Sequence, residues 1–99
     1  MRRVHELLVS SRASISTAES CTGGLIAKRL TDRAGSSRYF LGSVVAYQND
    51  IKTSMLAVEP RVLEREGAVS RPVCKAMARA VKKNFSATYG ISVTGIAGP

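Results

Sequence analysis

Tryptophan is absent from this chain, and only 5% of its residues are aromatic. Nucleic-acid recognition by base stacking needs several exposed rings, so this scarcity argues against it. The two cysteines, Cys21 and Cys74, lie far apart and outside any Cys-x-x-Cys spacing, and His5 is the single histidine. That set is too poor for a Cys/His metal site; no metal and no cofactor are expected. Both thiols read as reduced, with Cys74 a small apolar core residue. No apolar run approaches the length of a membrane span and the N-terminus carries no signal-peptide pattern, which points to a cytoplasmic protein without membrane contact. Acids are also scarce, seven against fifteen Lys and Arg, for a net charge of +8. The last acid is Glu66, and Arg71, Lys75, Arg79, Lys82 and Lys83 follow it. Such a balance favours anionic partners, either phosphorylated small molecules or nucleic acid.

What remains is the composition of one small globular domain: 99 residues, 44% of them hydrophobic. Val4, Leu7, Leu8 and Ser11 recur at helical spacing within Met1–Arg12. Ile15–Ala18 reads as a strand and Gly23–Arg33 as the helix after it, stopped by Gly35. Tyr39–Tyr47 is the most strand-like run; it is nearly all apolar, which predicts burial on both faces, with Gly42 at a bulge. A helix through Ile51–Leu56 follows, then a short one over Pro60–Gly67 with proline at its start and glycine past its end. Ser70 caps a longer helix with Val73, Met77, Ala80 and Val81 on its apolar stripe and the cations mainly elsewhere. Tyr89–Thr94 is a last strand before the glycine-rich Gly95–Pro99. Alternating helices and strands predict an α/β fold, a sheet covered on both faces. Ligands in such folds bind where strands end and loops turn into helices, here Glu19–Gly24, Tyr47–Lys52 and Thr94–Pro99.

The stretch Thr17-Ala18-Glu19-Ser20-Cys21-Thr22-Gly23-Gly24 turns from a strand into a helix through hydroxyl residues and glycines. That arrangement aims backbone N–H groups at one point, where the positive helix end favours an anion. It also exposes the Ser20 hydroxyl at a tight turn, as nucleophilic serines often are. A helix N-cap at Ser20 or Thr22 is the plainer reading of the same residues. Lys52, early in its helix, has its pKa pushed down by the helix dipole and by partial burial, and a lysine so shifted can act as base for a serine. Cys21 adjoins Ser20, but His5 is its only available histidine partner. His5 itself has no visible carboxylate or cysteine partner and is read as a surface or boundary residue, without a catalytic role.

Five blocks stand in order: Ala18-Glu19-Ser20-Cys21-Thr22-Gly23-Gly24, Ala34-Gly35-Ser36-Ser37, Tyr47-Gln48-Asn49 with Lys52, Gly67-Ala68-Val69-Ser70, and Thr94-Gly95-Ile96-Ala97-Gly98-Pro99. Together they resemble the CinA C-terminal-domain family, the nicotinamide-nucleotide amidohydrolases, from about Ile15 to the last residue. The resemblance implies a three-layer α/β/α sandwich. It implies hydrolysis of the carboxamide of nicotinamide mononucleotide to nicotinate mononucleotide and ammonia, in pyridine-nucleotide recycling. Ser20 is then the nucleophile, Lys52 the base and Tyr47 the support for proton transfer between them. Thr22, Gly23, Gly24, Gly95 and Ala97 are candidates for holding the substrate or oxyanion. The family pattern continues past Pro99 through further strands and a closing helix, so residues 1–99 are expected to form the N-terminal and central part of one such domain. The family's habit and an exposed sheet edge point to a homodimer. The alternative is a nucleotide- or partner-binding module without turnover. Nucleic-acid binding, motivated by the charge of +8 and by the competence association in the family's name, ranks behind both.

Overall fold

The computed structural model of the chain describes residues 1–96. Its elements are α1 (Arg2–Ser11), β1 (Ile15–Glu19), α2 (Leu25–Thr31), a 3₁₀ turn (Ser36–Arg38), β2 (Phe40–Val45), α3 (Asn49–Leu56), α4 (Pro60–Glu66), α5 (Arg71–Phe85) and β3 (Tyr89–Val93). The strands form a parallel three-stranded sheet in the order β2-β1-β3. Parallel neighbours require crossovers, which α2 supplies between β1 and β2, and α3 to α5 between β2 and β3. The chain therefore leaves β1 toward one edge and returns on the other. This reversal makes the C-terminal end of β1 a topological switch point.

β1 is buried along its whole length, and its side chains alternate between two layers. Ile15 joins Leu8, Ala13, Leu30 and Tyr39 in the core under α1 and α2. Ala18 joins Ala46, Leu56, Val58, Leu63, Val73, Met77 and Val81 in the larger core under α3, α4 and α5. Burying each of the three α5 side chains Val73, Met77 and Val81 contributes about 1.5–3 kcal/mol. Ser16, fully buried, avoids a desolvation penalty by donating to Val81 O at 3.0 Å. The result is a helix–sheet–helix sandwich, the α/β class that the alternation of elements predicts.

β2 departs from expectation. Its apolar run predicts burial on both faces, yet Leu41 and Val45 are each 46% exposed. The reason is position: among the described residues β2 pairs with β1 alone and forms an edge. The expected irregularity is present, since Ile15 pairs with Phe40 and Ser16 with Gly42, leaving Leu41 unpaired. A Cβ on Gly42 would come within 2.7 Å of the Phe85 ring, so a side chain there would push that ring aside. Cys74 also differs from its reading as a plain apolar filler. It is half-buried, and its sulfur lies 3.0 Å from Ser92 Oγ. Among the described residues no helix is long and apolar enough to cross a membrane.

Candidate active site

Ser20 is the first residue beyond β1, and it still follows the sheet: its N–H donates to Val93 O of β3 at 3.1 Å. The chain then turns sharply. Gly23 donates to Ser20 O at 3.0 Å, and Gly23 and Gly24 adopt φ of 62° and 106°. Only glycine takes such angles without strain, which explains the pair. Ser20 keeps 6% of its surface.

Lys52 reaches Ser20 from α3. The chain leaves β2 through Ala46 and Tyr47, and Gln48 begins α3 in an extended conformation. This corner turns two carbonyls toward the lysine. Lys52 Nζ donates to Ala46 O at 3.0 Å, to Tyr47 O at 3.1 Å and to Ser20 Oγ at 3.0 Å. Lys52 is only 1% exposed. Burial pushes its pKa down from the ordinary 10.5, with the Cys21 thiol a smaller opposing influence. A neutral amine has two N–H donors and one lone pair. The carbonyls accept the two N–H groups, and the lone pair then faces the Ser20 hydroxyl, which donates to it. The arrangement suits withdrawal of a proton from a serine.

Tyr47 reaches Lys52 through its backbone. Its side chain is 64% exposed and makes no hydrogen bond among the described residues. The third loop approaches through Gly95, where a Cβ would stand 3.1 Å from Cys21 Sγ. Ala97 lies outside the described residues. Thr22 turns its hydroxyl inward, onto Glu19 Oε1 at 2.8 Å.

Glu19 is the residue that sequence reasoning left without a role. It is fully buried, and its side chain points to the α2 side of the sheet. The carboxylate accepts from Ile26 N at 2.8 Å, Ala27 N at 2.9 Å, the Thr22 hydroxyl at 2.8 Å and the Thr17 hydroxyl at 3.2 Å. Burial alone raises its pKa, but the Ala27 and Ile26 amides with the Thr22 and Thr17 hydroxyls hold it below the ordinary 4.5. The sequence expectation that the α2 amides await an external anion is thereby corrected. The protein's own carboxylate takes the Ile26 and Ala27 amides. One signal was available, an acid at the end of an otherwise uncharged strand. Among the described residues no group of three His, Cys, Asp or Glu side chains is placed to hold a metal ion.

The fold and this corner define an α/β domain with a buried serine–lysine pair at its switch point. Comparison with known proteins supplies the family. The model of the CinA C-terminal domain matches residues 1–99. The chain is 53% identical over 96 residues to a CinA-like protein of Mycobacterium avium, covering 97% of this chain and 22% of that protein. A solved competence/damage inducible protein of Agrobacterium tumefaciens superposes with a TM-score of 0.96 at 45% identity, covering 99% of this chain and 59% of that one. A CinA superfamily structure from Escherichia coli gives 0.95 at 31%, over 98% and 56% of the two chains. This chain belongs to the CinA C-terminal domain family. It spans about a fifth of the length of the curated relatives it matches, 22% in the M. avium case.

Proposed function

We propose that this domain is a nicotinamide-nucleotide amidase that uses Ser20 as nucleophile and Lys52 as general base. The observation that carries the reading is the 3.0 Å contact between a buried amine and the Ser20 hydroxyl at the end of the central strand. The substrate rests on the family, through the five sequence blocks that resemble its amidohydrolase members. Ser20 Oγ attacks the carboxamide carbon of nicotinamide mononucleotide while Lys52 Nζ takes the hydroxyl proton. The tetrahedral intermediate collapses, the amide nitrogen receives that proton, and ammonia leaves. Water then adds to the acyl-enzyme and gives a proton to Lys52, which passes it to Ser20 Oγ as that oxygen is displaced and nicotinate mononucleotide forms. Tyr47 assists through the carbonyl that orients the amine. Backbone groups of Gly23, Gly24 and Gly95 are the proposed contacts to the substrate or its oxyanion.

The test is ammonia release from nicotinamide mononucleotide. Ser20→Ala is expected to abolish it while leaving equilibrium binding nearly intact, because the substituted atom forms a bond only during reaction. Turnover by Ser20→Ala at the unsubstituted rate removes the nucleophile. Binding of the mononucleotide with no ammonia from the unsubstituted chain favours a binding module instead.

A further inference from the structure

We infer that Glu19 is a positioning residue for the Ser20–Lys52 pair, its carboxylate tying the first turn of α2 to the end of β1 and so fixing the turn that presents Ser20. The inference rests on Ser20 being the nucleophile proposed above.

The bonds span the turn from both sides. Glu19 precedes Ser20 in the chain, and its Oε1 holds Thr22 within the turn and Ile26 beyond it. Its Oε2 holds Ala27, also in α2. The Ser20–Gly24 segment is thus closed into a loop whose two ends meet at one carboxylate. The backbone of Glu19 anchors the other partner as well. Its carbonyl accepts from Ala46 N at 2.7 Å, and Ala46 O in turn accepts from Lys52 Nζ at 3.0 Å. One residue therefore sets the position of the serine through its side chain and of the lysine's cradle through its main chain. A purely apolar residue there would leave the Ile26 and Ala27 amides without these acceptors and the Gly23–Gly24 turn free to open. The carboxylate lies on the opposite face of the sheet from Lys52 and does not touch it, so Glu19 acts by geometry.

Glu19→Gln keeps the shape but turns one acceptor into an NH₂ donor facing an N–H donor. Thr22→Val removes a single hydroxyl bond and leaves the carboxylate on α2, and it decides the question should Glu19→Gln fail to fold. The readouts are kcat and KM for ammonia release, and the rate at which a fluorophosphonate probe phosphonylates Ser20 Oγ with loss of fluoride. Expected is a fall in kcat and labelling rate of about 100-fold in Glu19→Gln and about 10-fold in Thr22→Val, because misplacing a nucleophile by an ångström has such consequences. KM and the pH midpoint of turnover stay unchanged, and Thr22→Ser recovers most of the loss. Folded variants of Glu19 and Thr22 that label at the unsubstituted rate overturn the positioning role. So does a chain in which Ser20 is not labelled at all. Labelling that depends on Glu19 in a chain that releases no ammonia upholds the positioning role and overturns the amidase.

Discussion

Lys52 is held by Ala46 O, Tyr47 O and Ser20 Oγ, and both states of its amine fit that cradle. The charged form donates to all of them; the neutral form donates to the carbonyls and accepts from the hydroxyl. Burial favours the neutral form, and this has a consequence for stability. Because the folded chain holds the lysine's pKa below 10.5, the unfolded chain binds its proton more tightly. Stability therefore rises with pH between the lowered pKa and about 10.5, and is flat with respect to this group below that window. Denaturant unfolding of the unsubstituted chain beside Lys52→Met reads the effect. The stability of the unsubstituted chain relative to Lys52→Met is expected to climb as pH rises toward 10.5. A difference independent of pH across that range contradicts a depressed lysine. Ser20 and Lys52 were legible in the sequence because each sits where a strand gives way to a helix, in residue types that chemistry uses. Glu19 was not. Its partners are main-chain amides seven and eight residues ahead, and no side-chain pattern in the sequence marks an amide.

At the scale of elements, the contact between α5 and β3 is closer than ordinary helix-on-sheet packing because Gly90 offers no side chain. A Cβ there would run into the backbone carbonyl of Ala78 and stand 2.7 Å from Lys82 Cβ. The obstacle is largely the backbone and first side-chain carbon of a helix fixed by Val73, Met77 and Val81, so it cannot step aside cheaply. Gly90→Ala is expected to lower stability by about 1–3 kcal/mol, the usual range for overpacking. It should also slow turnover, since β3 carries Val93 O, the acceptor for Ser20 N. Unfolding and ammonia-release measurements on the same sample check both; a Gly90→Ala chain of unchanged stability would show that α5 can shift. The elements themselves were well marked. The stripe on α5, the proline at the start of α4 and the glycine after it, and the β-branched strands all appear near their expected places. The order of the strands was not marked. An apolar run such as Phe40–Val45 reads as doubly buried, and hydropathy holds no record of which strand takes the centre.

For the molecule as a whole, the layout is a slab of 41 × 30 × 18 Å with one strand at its heart. β1 pairs on both sides and is covered on both faces, whereas α1 buries a single residue, Leu8. The ion pairs among the described residues, Arg2–Glu6, Lys28–Asp32 and Arg65–Glu66, are local and solvent-exposed, and bind no distant elements together. Cohesion therefore runs outward from β1 through the two cores. Opening of α1 disturbs little of it, while opening of β1 separates both layers and the Ser20–Lys52 pair at once. Hydrogen exchange reads this gradient directly. Amides of Ser16–Ser20 are expected to exchange only through global unfolding, and those of α1 through local opening at much lower free energy. Denaturant should then shift the exchange of β1 with the full slope of global unfolding and leave α1 nearly unaffected. Equal protection of α1 and β1 would mean that the first helix is part of the cooperative core and that the site depends on it. A gradient as expected would place the Ser20–Lys52 corner on the last element to open, which keeps the buried lysine, with its depressed pKa, out of water until the whole domain unfolds.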